Sequence, residues 1–399
     1  MSVGHGAAVY LAVVQFFFAV TWILYVIYLP QLAAQAGIGK EWIGWILVAD
    51  QVIFAAMDVV TGYWADRVRA GLARLGGWIL GLSVLSAAAF VAMPFAGANA
   101  ALLLSALLLW AVTSSALRSP PWALLSRYAA APSVPWMSAT VLTGSALAAA
   151  AGPYLGVAMR GVDPRLPFLV STLTLLATVA GLIHVERRLA GAQPSPAGEV
   201  QPAFDLGAPR ARAAVGAFFA ALLVMAVGFQ VHFALNSAPQ YLRFAAPADL
   251  PYLMPVFWIG FNILMFPGAM MVKRFGALPV MAAAAAGGAV ATLMTPFAGG
   301  LDVVIAVQFL AGGAWGIINV AAFSAAVAFG RTRREGAALG TLFAVLALAA
   351  FVRIASAASG LVLDAGVKAL LPWIAPTGWL IAAAILVRVR PFAGTARPA

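Results

Sequence analysis

The chain has 399 residues, of which 64% are hydrophobic and 9% charged, and it contains no cysteine. A soluble domain carries about a quarter charged residues, so this composition excludes an ordinary water-soluble fold. The missing cysteines exclude disulfides and thiolate metal sites. A net charge of +11 fits nucleic acid only if the basic residues cluster on a face. Here they are sorted by side instead, so the expected partners are a lipid bilayer and its anionic head groups, with no nucleic acid.

Windows of about 20 apolar residues place twelve spans, the first three over 8–29, 42–64 and 75–95. The next three cover 101–125, 136–159 and 167–184. A polar, proline-rich stretch over 186–212 follows, with Pro194, Pro196, Glu199, Pro202 and Asp205; it reads as a linker. Six further spans cover 213–235, 253–272, 278–297, 303–329, 336–363 and 370–387. The expected architecture is therefore an all-α polytopic membrane protein: one six-helix bundle over 1–185, the linker, and a second bundle over 213–399. The halves share traits. The first span ends Leu29-Pro30-Gln31-Leu32 and the seventh Pro239-Gln240-Tyr241-Leu242, while the second exits through Asp66-Arg67 and the eighth through Lys273-Arg274.

Among the connections, Lys40, Arg160, Arg165, Arg243 and Lys368 fall on one side, whereas the other Lys and Arg outside the spans fall on the side of both termini. The positive-inside rule makes that side the cytoplasm. The first apolar stretch is long enough to span and lacks a small-residue cleavage site, so no cleavable signal peptide is expected.

Four charges lie at membrane depth: Asp50, Asp58, Arg118 and Arg353. Each costs about 2.5 to 3.5 kcal/mol on insertion scales, so such residues normally face a bundle interior or a wet cavity. Asp50, near the middle of the second span, suits a proton carrier. Asp58 is eight residues on, about 12 Å along the axis, at the depth of Arg118 on the oppositely directed fourth span; a structural and a gating ion pair both fit. Arg353 has no acid at its depth in its own half and suits a substrate carboxylate or phosphate, or a partner such as Asp50 across a cavity. Neutral polar and aromatic residues extend the candidate substrate site: Gln15, Trp22 and Tyr25, then Gln230 and His232, then Asn262, Trp315 and Asn319. Gln230 and His232 are two positions apart, so only one is expected to point inward. No Walker loop is present; neither ATP, a cofactor, a resident metal nor enzymatic chemistry is expected.

Two six-span repeats around a polar loop resemble the major facilitator superfamily, whose substrate site lies between the halves near the midplane. Gly62-Tyr63-Trp64-Ala65-Asp66-Arg67, followed by Arg69, Gly71 and Arg74, is similar to its signature between spans two and three. That resemblance implies a gating loop through Gly62, Asp66, Arg67 and Arg74. It also implies a monomer in the bacterial inner membrane. A narrower likeness joins Asp58-Val59-Val60-Thr61-Gly62-Tyr63 and Arg118-Ser119-Pro120-Pro121-Trp122 to the glycoside-pentoside-hexuronide cation symporters, where acids on spans two and four hold the cation. Here Arg118 and Phe54 stand where polar or acidic residues are usual, so a proton rather than sodium is the expected coupling ion. Gly144, Ala148, Gly152-Pro153 and Gly156 are similar to the signature of drug/proton antiporters, although small residues at this spacing also let helices pack closely. Three readings stay open: a proton-coupled transporter of a small polar or anionic solute, an exporter of the same fold, and a non-transporting assembly factor or receptor.

Overall fold

The computed structural model describes residues 3–67, 75–128, 130–191, 209–330 and 334–389. Among these, twelve helices are long and apolar enough to cross a membrane. The first six are α1 His5–Gln35, α2 Lys40–Arg67, α3 Gly77–Phe95, α4 Ala100–Ala123, α5 Ala131–Ala158 and α6 Arg165–Val185. The second six are α7 Pro209–Tyr241, α8 Pro247–Phe275, α9 Ala277–Phe297, α10 Leu301–Gly330, α11 Glu335–Ala358 and α12 Ala365–Val389. Most run longer than the apolar windows, because a helix continues until a turn residue stops it; Gly37 at φ 74° ends α1, beyond Gln31 and Gln35. The greater part of the predicted linker and Arg74 lie outside the described residues.

Lipid offers no hydrophobic drive between helices, so small residues and buried polar bonds set the packing. Gly260 of α8 abuts the Phe309 carbonyl of α10, and Gly312 of α10 abuts the Phe257 carbonyl of α8. Any side chain at either glycine meets backbone. Gly144 of α5 lies in the same way on the Ala12 carbonyl of α1, with Ala148 fully buried; the small-residue face of α5 is thus a helix contact. Trp379 of α12 fills the space beside Gly228 and Gly288 and donates its indole N–H to the Met225 carbonyl of α7 at 2.8 Å. The two six-helix bundles meet where α2 runs along α11 and α5 along α8. The first contact extends from Gly44 beside Ala358 to Gly62 beside Gly336.

Candidate functional site

The fourth span is broken at its charge. Regular helix stops at Ser114, a 3₁₀ turn covers Ser115–Leu117, and Arg118 leaves helical geometry at φ −91° and ψ −84°. Pro120 and Pro121 cause this, since neither has an N–H to return to the preceding turn. Pro121 leaves the Leu117 carbonyl without its usual helical donor, and Gln15 of α1 supplies one, Nε2 donating at 2.9 Å. Such interhelical bonds average about 0.6 kcal/mol in membrane proteins. The break directs Arg118 sideways: Nη2 lies 3.1 Å from Asp58 Oδ2, and the guanidinium sits over Phe54 of α2 and Phe343 of α11, 4.9 and 5.5 Å from the ring centroids. The ion pair is close but poorly aligned, for neither oxygen of the fully buried Asp58 gains a hydrogen bond among the described residues.

Arg118 opens on a central cavity of about 340 Å³ between the two halves, which Arg353, Gln15, Gln51, Trp22 and Gln230 also line. A second chamber of about 250 Å³ adjoins it through shared walls that include Gln230, Phe323 and Phe343, and reaches Trp258, Trp315 and Asn319. Arg353 Nε donates to Gln230 Oε1 at 2.8 Å, and among the described residues no carboxylate lies within ion-pair distance of it. The first chamber therefore holds one guanidinium paired with an acid and one that is not.

Other predicted site residues lie off the cavity. Asp50 is buried and accepts from the Tyr25 hydroxyl at 2.6 Å. Tyr25 is itself fully buried, its ring against Trp22 and Trp110. Asp50 and Arg353 thus each have a partner of their own and do not meet. His232 is buried with Nε2 3.1 Å from Gln308 Oε1, while Ser237 donates to the same oxygen and Gln308 Nε2 to Gln240. An amide oxygen only accepts, so the imidazole proton sits on Nε2. His232 begins a π-helical turn over His232–Asn236 and Ser237 follows it, a feature frequent at functional sites. Asn262 also lies off the cavity walls and donates to the Trp258 carbonyl of its own helix at 2.8 Å.

Beside Arg118 the cavity wall includes an aromatic layer in which Trp122 stacks on Phe323 at 4.0 Å and Phe343 meets Phe323 edge-on at 5.4 Å. Beyond it α2 and α11 touch through glycine. A side chain at Gly62 would meet the Gly336 carbonyl, and one at Gly340 the Asp58 carbonyl. The Asp66 carboxylate then spans the first turn of α11, accepting from Gly336 N and Ala337 N at 2.8 Å each; a helix N-terminus offers unpaired donors and a partial positive charge to such an acid. Arg67 is exposed and donates to Tyr63 of its own helix at 2.7 Å. Gly336, Gly340, Trp122, Phe323 and Phe343 went unmarked as site residues in the sequence. The small-xxx-small spacing of Gly336 and Gly340 was the available signal.

Twelve apolar helices in two bundles, a cavity between them that carries two guanidinium groups and a helix-end contact between α2 and α11 define a polytopic carrier architecture. The chain belongs to the Major Facilitator Superfamily, whose family model matches residues 11–354, and it is a membrane transporter by that membership. No curated protein sequence matches it. Among solved structures it is similar to the human organic anion transporter MFSD10 (TETRAN), at 15% identity and TM-score 0.71, covering 98% of this chain and 99% of that one. It is also similar to a bacterial homologue of the iron transporter ferroportin in an outward-facing state, at 12% identity and TM-score 0.72, covering 96% and 99%. The transporter FucP in its outward conformation matches at 16% identity and TM-score 0.63, covering 98% and 99%.

Proposed function

We propose that this protein is a secondary active transporter moving a small organic anion by alternating access, coupled to protons. The observation that carries the reading is Arg353: a guanidinium facing a cavity between the halves, held by an amide and neutralised by no acid among the described residues. A guanidinium is the side chain best matched to a carboxylate fork. The organic anion transporter among the similar folds fits the same reading. Asp50 is the proton carrier, with Tyr25 keeping the carboxylate in place, and Asp58 with Arg118 is the ion pair of the translocation path. A sodium site on this pair is disfavoured because Arg118 already occupies the cation position. Asp50→Asn in proteoliposomes is expected to abolish acceleration of uptake by an inwardly directed proton gradient while substrate exchange continues. Gradient dependence unchanged in Asp50→Asn ends the proton assignment.

The halves over 1–185 and 213–399 carry both termini on the cytoplasmic face of a bacterial inner membrane, with 186–212 between them. The support is the bias of Lys and Arg. Ala246→Cys is expected to react with a membrane-impermeant reagent in intact cells and Ala197→Cys only after lysis; labelling of the Ala197→Cys variant from outside inverts the topology.

A further inference from the structure

We propose that the transported anion is an aryl carboxylate bearing a hydrogen-bond donor at the end of the ring remote from its carboxylate. This rests on the transport reading above and narrows it to a substrate class.

The first chamber holds the cationic donors, beside the amides of Gln15 and Gln51. Gln230 takes the Nε edge of Arg353, which leaves the end-on Nη pair for a ligand. The Gln230 amide oxygen is thereby engaged and its amide nitrogen is the group left to face the chamber. Neither Asp50 nor Asp58 reaches the wall. One carboxylate can meet the Arg353 Nη pair and the Gln230 amide nitrogen, and a donor left unpaired in a buried site is costly. An ammonium group here would face Arg353 and Arg118 with no free carboxylate.

The second chamber is aromatic and differs in its polar group. Phe229 stacks on Trp315 at 4.6 Å and meets Trp258 edge-on at 5.9 Å, while Phe323 and Phe343 close the side shared with the first chamber. The chamber is thus lined by apolar rings, which suit an apolar, ring-bearing body. At the wall stands Asn319, whose Nδ2 is spent on the Trp315 carbonyl of its own helix at 2.8 Å. Its Oδ1 is therefore the side left to a ligand, and it accepts. The joined chambers combine guanidinium donors in the first with aromatic walls and the Asn319 acceptor in the second. The complementary ligand reads carboxylate, ring, hydroxyl or ring N–H.

The test is binding by thermal shift and exchange by counterflow in proteoliposomes with 3-(4-hydroxyphenyl)propanoate, 3-phenylpropanoate, 3-(4-hydroxyphenyl)propanamide and tyrosine, alongside the ring-free anions lactate and succinate. The hydroxylated acid is expected to bind about tenfold more tightly than the deoxy acid and to be exchanged, with the amide and tyrosine weaker still. Asn319→Leu should remove the advantage of the hydroxyl and retain that of the carboxylate; Arg353→Gln should do the reverse. Amide or tyrosine binding as tightly as the hydroxylated acid, or no hydroxyl preference in the wild type, overturns the class. Exchange of lactate or succinate without the aryl acids also overturns it, while the transport reading stands. If no anion binds or is exchanged, or if Arg353→Gln alters none of them, both fall.

Discussion

Arg118→Gln is expected to cost about 3 to 5 kcal/mol, the usual penalty for removing one partner of a buried ion pair. The residue left behind is a fully buried carboxylate with no hydrogen bond among the described residues, so nothing nearby takes over the charge. Asp58→Asn should be damaging as well, but less so. It leaves Arg118, whose side chain is 17% exposed and reaches the cavity, where water replaces part of the lost contact. The asymmetry is a sharper expectation than the loss itself. The double variant should recover part of the deficit of Arg118→Gln, measured as thermal stability in detergent and as transport rate. Fully additive losses would mean that the 3.1 Å approach carries no energetic coupling.

The second large effect is expected at Gly340→Ala. The added carbon meets the Asp58 carbonyl and crowds the Gly62 Cα, and backbone cannot rotate away as a side chain can. Overpacking of this kind costs typically about 1 to 3 kcal/mol. Falling on one conformation of a carrier, it shifts the open-to-closed ratio by about 5- to 150-fold. Transport should fall while the folded protein persists. A cysteine introduced as Ser119→Cys, at a site wholly buried beside Asp58, should become faster to modify in the Gly340→Ala background. An unchanged labelling rate together with normal transport would mean that the contact of α2 with α11 does not gate the cavity.

The number, order and approximate centres of the spans were legible because membrane insertion imposes a linear rule, an apolar run about as long as the bilayer is thick. The four deep charges were legible for the same reason: each violates that rule. Their pairing was only partly so. Asp58 and Arg118 lie at matching depth and do meet, but Asp50 and Arg353 each found a neutral partner, Tyr25 and Gln230. A hydroxyl or amide on a facing helix leaves no periodic trace to predict it by. Gly336 and Gly340 show the other limit. Their chemistry is the absence of a side chain, and what makes them matter is the backbone of α2, far away in the sequence. The broken fourth span was written plainly in Pro120 and Pro121, yet hydropathy reads only the apolar run and passes over the missing donors. The narrower likenesses to cation symporters and drug antiporters rest on short stretches of α2, α4 and α5, and of the α5 glycines that suggested the second, Gly144 and Gly152 lie against α1 while Gly156 faces open space.

The contact of Asp66 with the start of α11 is made to main-chain N–H groups. A carboxylate that grips peptide nitrogens is indifferent to most side chains its partner carries, provided those side chains are small enough to let it approach. Tolerance to mutation therefore falls unequally on the two sides of the contact. On the α11 side, Ala337 is free to drift among small residues other than proline, and Gly336 is held by its lack of a side chain, which would meet the Gly62 carbonyl. Asp66 has no such latitude, since asparagine offers one acceptor where two N–H groups are waiting. A mutational scan of this end of the molecule should show Asp66 and Gly336 intolerant and Ala337 permissive.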